Sequence, residues 1–187
     1  MNEPAGPHRS IPVWDVAVRV LHWSLVLTVA AAWLTRHSPG RWHEWLGYAT
    51  LAIVAARTAW GFVGAGYARF ADFIRPVPVT AAYARDVLAH RDARYVGHNP
   101  LGGWMVAALL ALVVSVGLTG WLYTTDRFWG VPWVEELHET LSDVLFAFVA
   151  LHFAGVAFTS VRHRENLVAA MLHGRKRADV RDGPQHS

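Results

Sequence analysis

The chain has no cysteine among its 187 residues. That absence excludes a disulfide framework, iron–sulfur ligation and a thioether-linked haem, and leaves histidine as the main residue able to hold a metal. The stretch MNEPAGPHRSIPVWD lacks a basic region followed by a small-residue cleavage site, so the first apolar segment is expected to stay as a helix rather than be removed as a signal peptide. Internal repeats and low-complexity tracts are missing too. With short connections and no shift in composition, the chain reads as one domain, 1–187.

What is abundant is apolar surface: hydrophobic residues make up 53% of the sequence. They concentrate in four stretches, at about 13–35, 43–64, 101–123 and 137–161, each close to the roughly 20 residues needed to span the hydrocarbon of a bilayer. The expected fold is all-α, an integral membrane four-helix bundle in contact with lipid.

Lysine and arginine set the expected orientation. Arg9 and Arg19 flank the first stretch, Arg69, Arg75, Arg85, Arg91 and Arg94 lie in the middle connection, and Arg162, Arg164, Arg175, Lys176, Arg177 and Arg181 follow the last. The opposite side has only Arg36, Arg41 and Arg127. The positive-inside rule then makes both termini and the middle connection cytoplasmic, with an aromatic belt of Trp42, Trp45, Trp129 and Trp133 outside. Because the basic residues follow topology instead of forming a stripe, the net charge of +3 does not point to nucleic acid. RPVPVTAAYARDVLAHR in the middle connection reads either as a short helix on the membrane surface or as an irregular basic loop, and ENLVAAMLHGRKR as a second surface helix ended by Gly174.

His138 and His152 stand fourteen residues apart in HETLSDVLFAFVALH. That spacing is four helical turns less about 40°, so both imidazoles leave one face at depths roughly 21 Å apart. His22 matches the depth of His152 near the cytoplasmic side, and His43 matches that of His138 near the other. Two neutral imidazole pairs on different helices are what six-coordinate haem iron requires, and two stacked haems b are the natural reading. Taken singly, His22 or His43 also reads as a histidine bonded to a carbonyl across the bundle. Zinc is disfavoured, because Glu139 points about 100° away from His138 and further ligands are lacking.

Small residues near the histidines would let a porphyrin approach: Gly47, Gly155, Gly117 and Gly120, although glycine also mediates helix packing. Fourteen residues beyond His22 and His43 come Arg36 and Arg57, level with the opposite haems and suited to their propionates. Arg36 reads equally as an interfacial flanking residue. His8, His37, His90, His98, His163, His173 and His186 read as solvated, His98 being the least settled.

VWDVAVRVLHW around His22, HEWLGY with the later RTAWG, GHNPLGG and HETLSDVLFAFVALH together resemble the prokaryotic cytochrome b561 family, which includes b-type cytochrome subunits of nickel–iron hydrogenases. The resemblance runs through nearly the whole chain in order. It implies four transmembrane helices in the bacterial inner membrane, two non-covalent haems b, and electron exchange with membrane quinone. Carried over residue by residue, it puts the axial ligands at His22, His43, His138 and His152. Such a protein is an electron carrier at minimum, linking quinone to a soluble cytochrome or a small oxidant or reductant outside, or acting itself as a quinone-linked oxidoreductase. The alternative is a membrane-anchor subunit of a hydrogenase or dehydrogenase.

Overall fold

The computed structural model describes residues 10–177. His8, Arg9, Arg181 and His186 lie outside them. Four long helices form the body: α1 (Val16–Thr35), α2 (Trp42–Val63), then, after the short α3 (Phe70–Phe73) and α4 (Val77–Leu88), α5 (Pro100–Tyr123) and α6 (Pro132–Arg162). A last short helix, α7 (Leu167–His173), precedes β2 (Arg175–Arg177), which pairs antiparallel with β1 (Ser10–Pro12). All four long helices are long and apolar enough to cross a membrane. The protein is thus an all-α membrane bundle.

Local chemistry sets the helix starts. The Asp15 carboxylate accepts the Val18 N–H at 2.7 Å and caps α1. Residue 13, where apolar character begins, remains extended instead: the N–H groups of Val13 and Trp14 donate to the Gly174 carbonyl at 2.8 and 3.1 Å. At α5, Asn99 caps the Gly102 N–H at 2.7 Å and Pro100 supplies the fixed φ of a first helical position. Pro132 does the same for α6, so that helix begins before the apolar count does, in the polar turn holding Glu135 and Glu136. His138 therefore sits in the second turn of α6. At roughly 1.5 Å per residue α6 is about 46 Å long, more than the ~30 Å hydrocarbon, and it projects beyond the bilayer.

The middle connection is helical at α4, with Tyr83 turned inward while Val77, Val79 and Leu88 are exposed. α7 ends at Gly174, whose φ of +80° is the left-handed cap expected of glycine there.

The long helices pack in chain order, α1 along α2, α2 along α5, and α5 along α6. α6 runs close along α5 but has no comparable close backbone packing on α1 or α2. At mid-depth a small aliphatic core of Val54, Val113 and Leu145 joins the bundle, with Leu25, Val29 and Val149 against it. Both strands lie at one end, the clasp end, where ion pairs tie the α4–α5 connection to the C-terminal segment. Arg94 pairs with Glu165, which Lys176 also approaches at 3.5 Å. Asp92 meets Arg162 and His163, each at 3.0 Å. Trp42, Trp45, Trp129 and Trp133 are all exposed at the opposite, far end.

Candidate functional site

At the far end, His43 of α2 and His138 of α6 face each other with ring centroids 6.0 Å apart and planes at 84°. The His43 Nδ1 lies 2.8 Å from the Ala32 carbonyl of α1. The His138 Nδ1 lies 3.0 Å from the Val116 carbonyl and 3.2 Å from the Thr119 hydroxyl of α5. A carbonyl only accepts, so each Nδ1 carries the proton and each Nε2 keeps its lone pair. This is the orientation that an outer partner imposes on a metal-binding imidazole. Gly120 makes room for it, since a Cβ there would sit 3.0 Å from the His138 ring.

The clasp-end group is built differently. His22 of α1 lies within electrostatic reach of His152 of α6 and of Arg57. Arg57, on α2, is 5% exposed inside an apolar helix, its guanidinium 5.7 Å from the centre of the Phe70 ring. Its Nη1 is buried without a hydrogen-bond partner, as are the His22 Nδ1, the Arg19 Nε and the His98 Nδ1. The two guanidinium nitrogens call for acceptors and the two imidazole nitrogens for hydrogen-bond partners, since a buried unmade hydrogen bond costs about 1–3 kcal/mol. Arg36, in contrast, is exposed at the end of α1, its guanidinium 3.9 Å over the Trp33 ring and its Nη1 3.0 Å from the Trp33 carbonyl.

Two histidines depart from the solvated reading. His163 is paired with Asp92. His98 is wedged between Trp14 and Phe73, with ring centroids 4.6 Å away on either side. Its pKa is pushed down to about 3, first by burial and then by the charges of Arg57, Lys176, His152 and His22, which keeps the imidazole neutral. His37, His90 and His173 are exposed.

These residues fit haem. Each end offers one imidazole from α6 and one from α1 or α2, across the side where α6 is not closely packed. A Cβ at Gly47, one turn from His43, or at Gly155, three residues from His152, would meet nothing within 4 Å, which leaves space for a flat ring. Gly117 differs: a Cβ there would press on Leu51, so its role is helix packing. Among the described residues no cluster of three or more His, Asp or Glu forms a metal group, and haem iron needs only two protein ligands.

A family model described as prokaryotic cytochrome b561 matches residues 13–174. Searches of curated proteins and of solved structures each found no match.

Proposed function

The chain belongs to the prokaryotic cytochrome b561 family and is a haem-b-binding membrane electron carrier, and from that premise we propose that it moves electrons between membrane quinone and a donor or acceptor outside. Two haems b, when bound, would supply one-electron exchange at two depths. His22 and His152 are proposed to hold one at the clasp end, and His43 and His138 the other at the far end. The observation carrying this reading is that α6 presents its two histidines towards α1 and α2 where close backbone packing is lacking. Arg57 would neutralise a propionate at the clasp end, and Arg36 would do so at the far end from its position over Trp33.

The proposed setting is the bacterial inner membrane, crossed four times, with the clasp end cytoplasmic. The far-end connections, residues 36–41 and 124–131, are short. They leave little surface for a large catalytic subunit, which favours a self-contained carrier with a soluble cytochrome or small redox partner over a hydrogenase or dehydrogenase anchor.

Haem extraction and spectroscopy test this directly. The purified chain should release about two haems b per polypeptide into acid–acetone, and a quinol analogue should reduce them. A single haem, or two haems inert to quinol, would overturn the corresponding half of the proposal.

A further inference from the structure

His98 is a half-buried histidine that the four proposed ligand positions leave without a task. It lies outside the membrane helices, at the turn that starts α5, yet its Nδ1 is shielded from water. Trp14, just before α1, and Phe73, the last residue of α3, hold its ring from two sides. Its Nδ1 is fully buried and unpartnered, and so is the Nη1 of Arg57. His98 lies within electrostatic reach of Arg57, His22 and His152, and Arg57 within reach of His22. A carboxylate matches both unpartnered nitrogens, accepting from the guanidinium and from an imidazole that carries its proton on Nδ1.

Building on the two-haem reading, we propose that His98 donates its Nδ1–H, beside Arg57, to a propionate carboxylate of the haem held by His22 and His152. His98 is then a positioning residue: it touches the edge of the cofactor and not the iron. A bare propionate stabilises the oxidised, more positive iron. A hydrogen bond that draws charge from the carboxylate weakens that preference, so His98 raises the reduction potential of the clasp-end haem and leaves the far-end haem alone. The Trp14–Phe73 clamp fixes the donor in place, so little is lost in orienting it.

The test is a spectroelectrochemical titration of the full-length chain in lipid nanodiscs, comparing wild type, His98→Leu and His98→Gln, with His43→Ala identifying the far-end component. His98→Leu should retain both haems and disfavour reduction of the clasp-end haem about tenfold, equivalent to about 59 mV for one electron. His98→Gln, which keeps a donor, should fall less. An unmoved clasp-end potential in His98→Leu, equal shifts of both haems, or identical shifts in the two variants would overturn the proposal. An unmoved potential with slowed reduction by a quinol analogue would overturn it in favour of a contact to quinone. Should His98→Leu lose the haem, His98→Gln decides: haem kept near the wild-type potential supports the role, and haem lost again overturns it. One haem in the unsubstituted chain overturns the two-haem reading, whereas two haems with an unmoved clasp-end potential overturn only the role of His98.

Discussion

His43 and His138 stand 6.0 Å apart, centroid to centroid, with crossed ring planes. Two metal–nitrogen bonds of roughly 2 Å, plus about 1 Å from each nitrogen to its ring centre, give roughly the same separation. Axial imidazoles with crossed planes leave the ferric d orbitals nearly degenerate. On the two-haem reading, a haem held between His43 and His138 would therefore show a highly anisotropic low-spin EPR signal, and His43→Ala and His138→Ala should each abolish that same signal. Loss of different signals in the two variants would break the pairing.

The two ends should differ in potential. Carbonyl bonds to Nδ1 make His43 and His138 more basic ligands, which favours oxidised iron. Near the clasp-end pair lies the buried Arg57 cation, which favours reduced iron. On the two-haem reading, the far-end haem should titrate at the lower potential. Arg57→Gln should lower the clasp-end potential while leaving its bis-histidine spectrum intact. A redox titration with the reverse order, or one in which Arg57→Gln shifts the far-end component, would contradict the arrangement.

Glycine substitutions separate cofactor space from helix packing. On the two-haem reading, Gly47→Leu should expel the far-end haem and Gly155→Leu the clasp-end haem, with the bundle otherwise folded, because each side chain enters open space. Gly117→Leu must displace Leu51 and should destabilise the bundle by about 1–3 kcal/mol. Haem content and thermal melting read these apart. Full haem occupancy in Gly47→Leu would show that the ring lies elsewhere.

Asp92 should make the clasp acid-sensitive. Burial pushes its carboxyl up, but the Arg162 hydrogen bond and the Arg162 and His163 charges outweigh burial and hold its pKa below the ordinary 3.8. A depressed folded pKa stabilises the fold above the unfolded value, and that contribution is lost as pH falls through the folded one. Melting temperature in detergent should therefore drop below about pH 4, on this account from loss of the Asp92 pair. Asp92→Asn should cost about 1–3 kcal/mol at neutral pH and flatten that acid step. An acid profile identical to wild type would remove Asp92 from the explanation.

Topology is open to a direct check. Reporter fusions at Ser187 and near Ala84 should report cytoplasm, and a fusion at Arg127 the outside. An outward Ser187 would exchange the sides of the membrane assigned to the clasp end and the far end.

That His138 and His152 stand at two levels of one helix was legible because a fourteen-residue interval on an apolar helix is a local signal, readable without knowing what packs on what. The split among the glycines was not, since Gly47 and Gly117 look alike until Leu51 is seen against one of them. The β1–β2 clasp joins Ile11 to Lys176, too far apart in sequence for any periodicity to reveal. His98 was misread for a related reason. Its burial comes from Trp14 and Phe73, on two other segments, whereas only its position in a polar connection is visible locally. The early start of α6 was hidden because apolar counting stops at Glu135 and Glu136 although the backbone continues through them.

Leu145 lies seven residues from His138 and seven from His152, and with Val54 and Val113 it forms an aliphatic cluster at the level between them. Those three side chains offer no hydroxyl, amide or charge along which a proton could accompany an electron. On the two-haem reading, an electron passing between levels about 21 Å apart crosses about two-thirds of the ~30 Å dielectric. At ~2.3 kcal/mol per charge per 100 mV, that passage carries roughly 1.6 kcal/mol of electrical work for each 100 mV. An inside-negative voltage opposes inward transfer and assists outward transfer, so the bundle that carries current is also sensitive to the voltage across it.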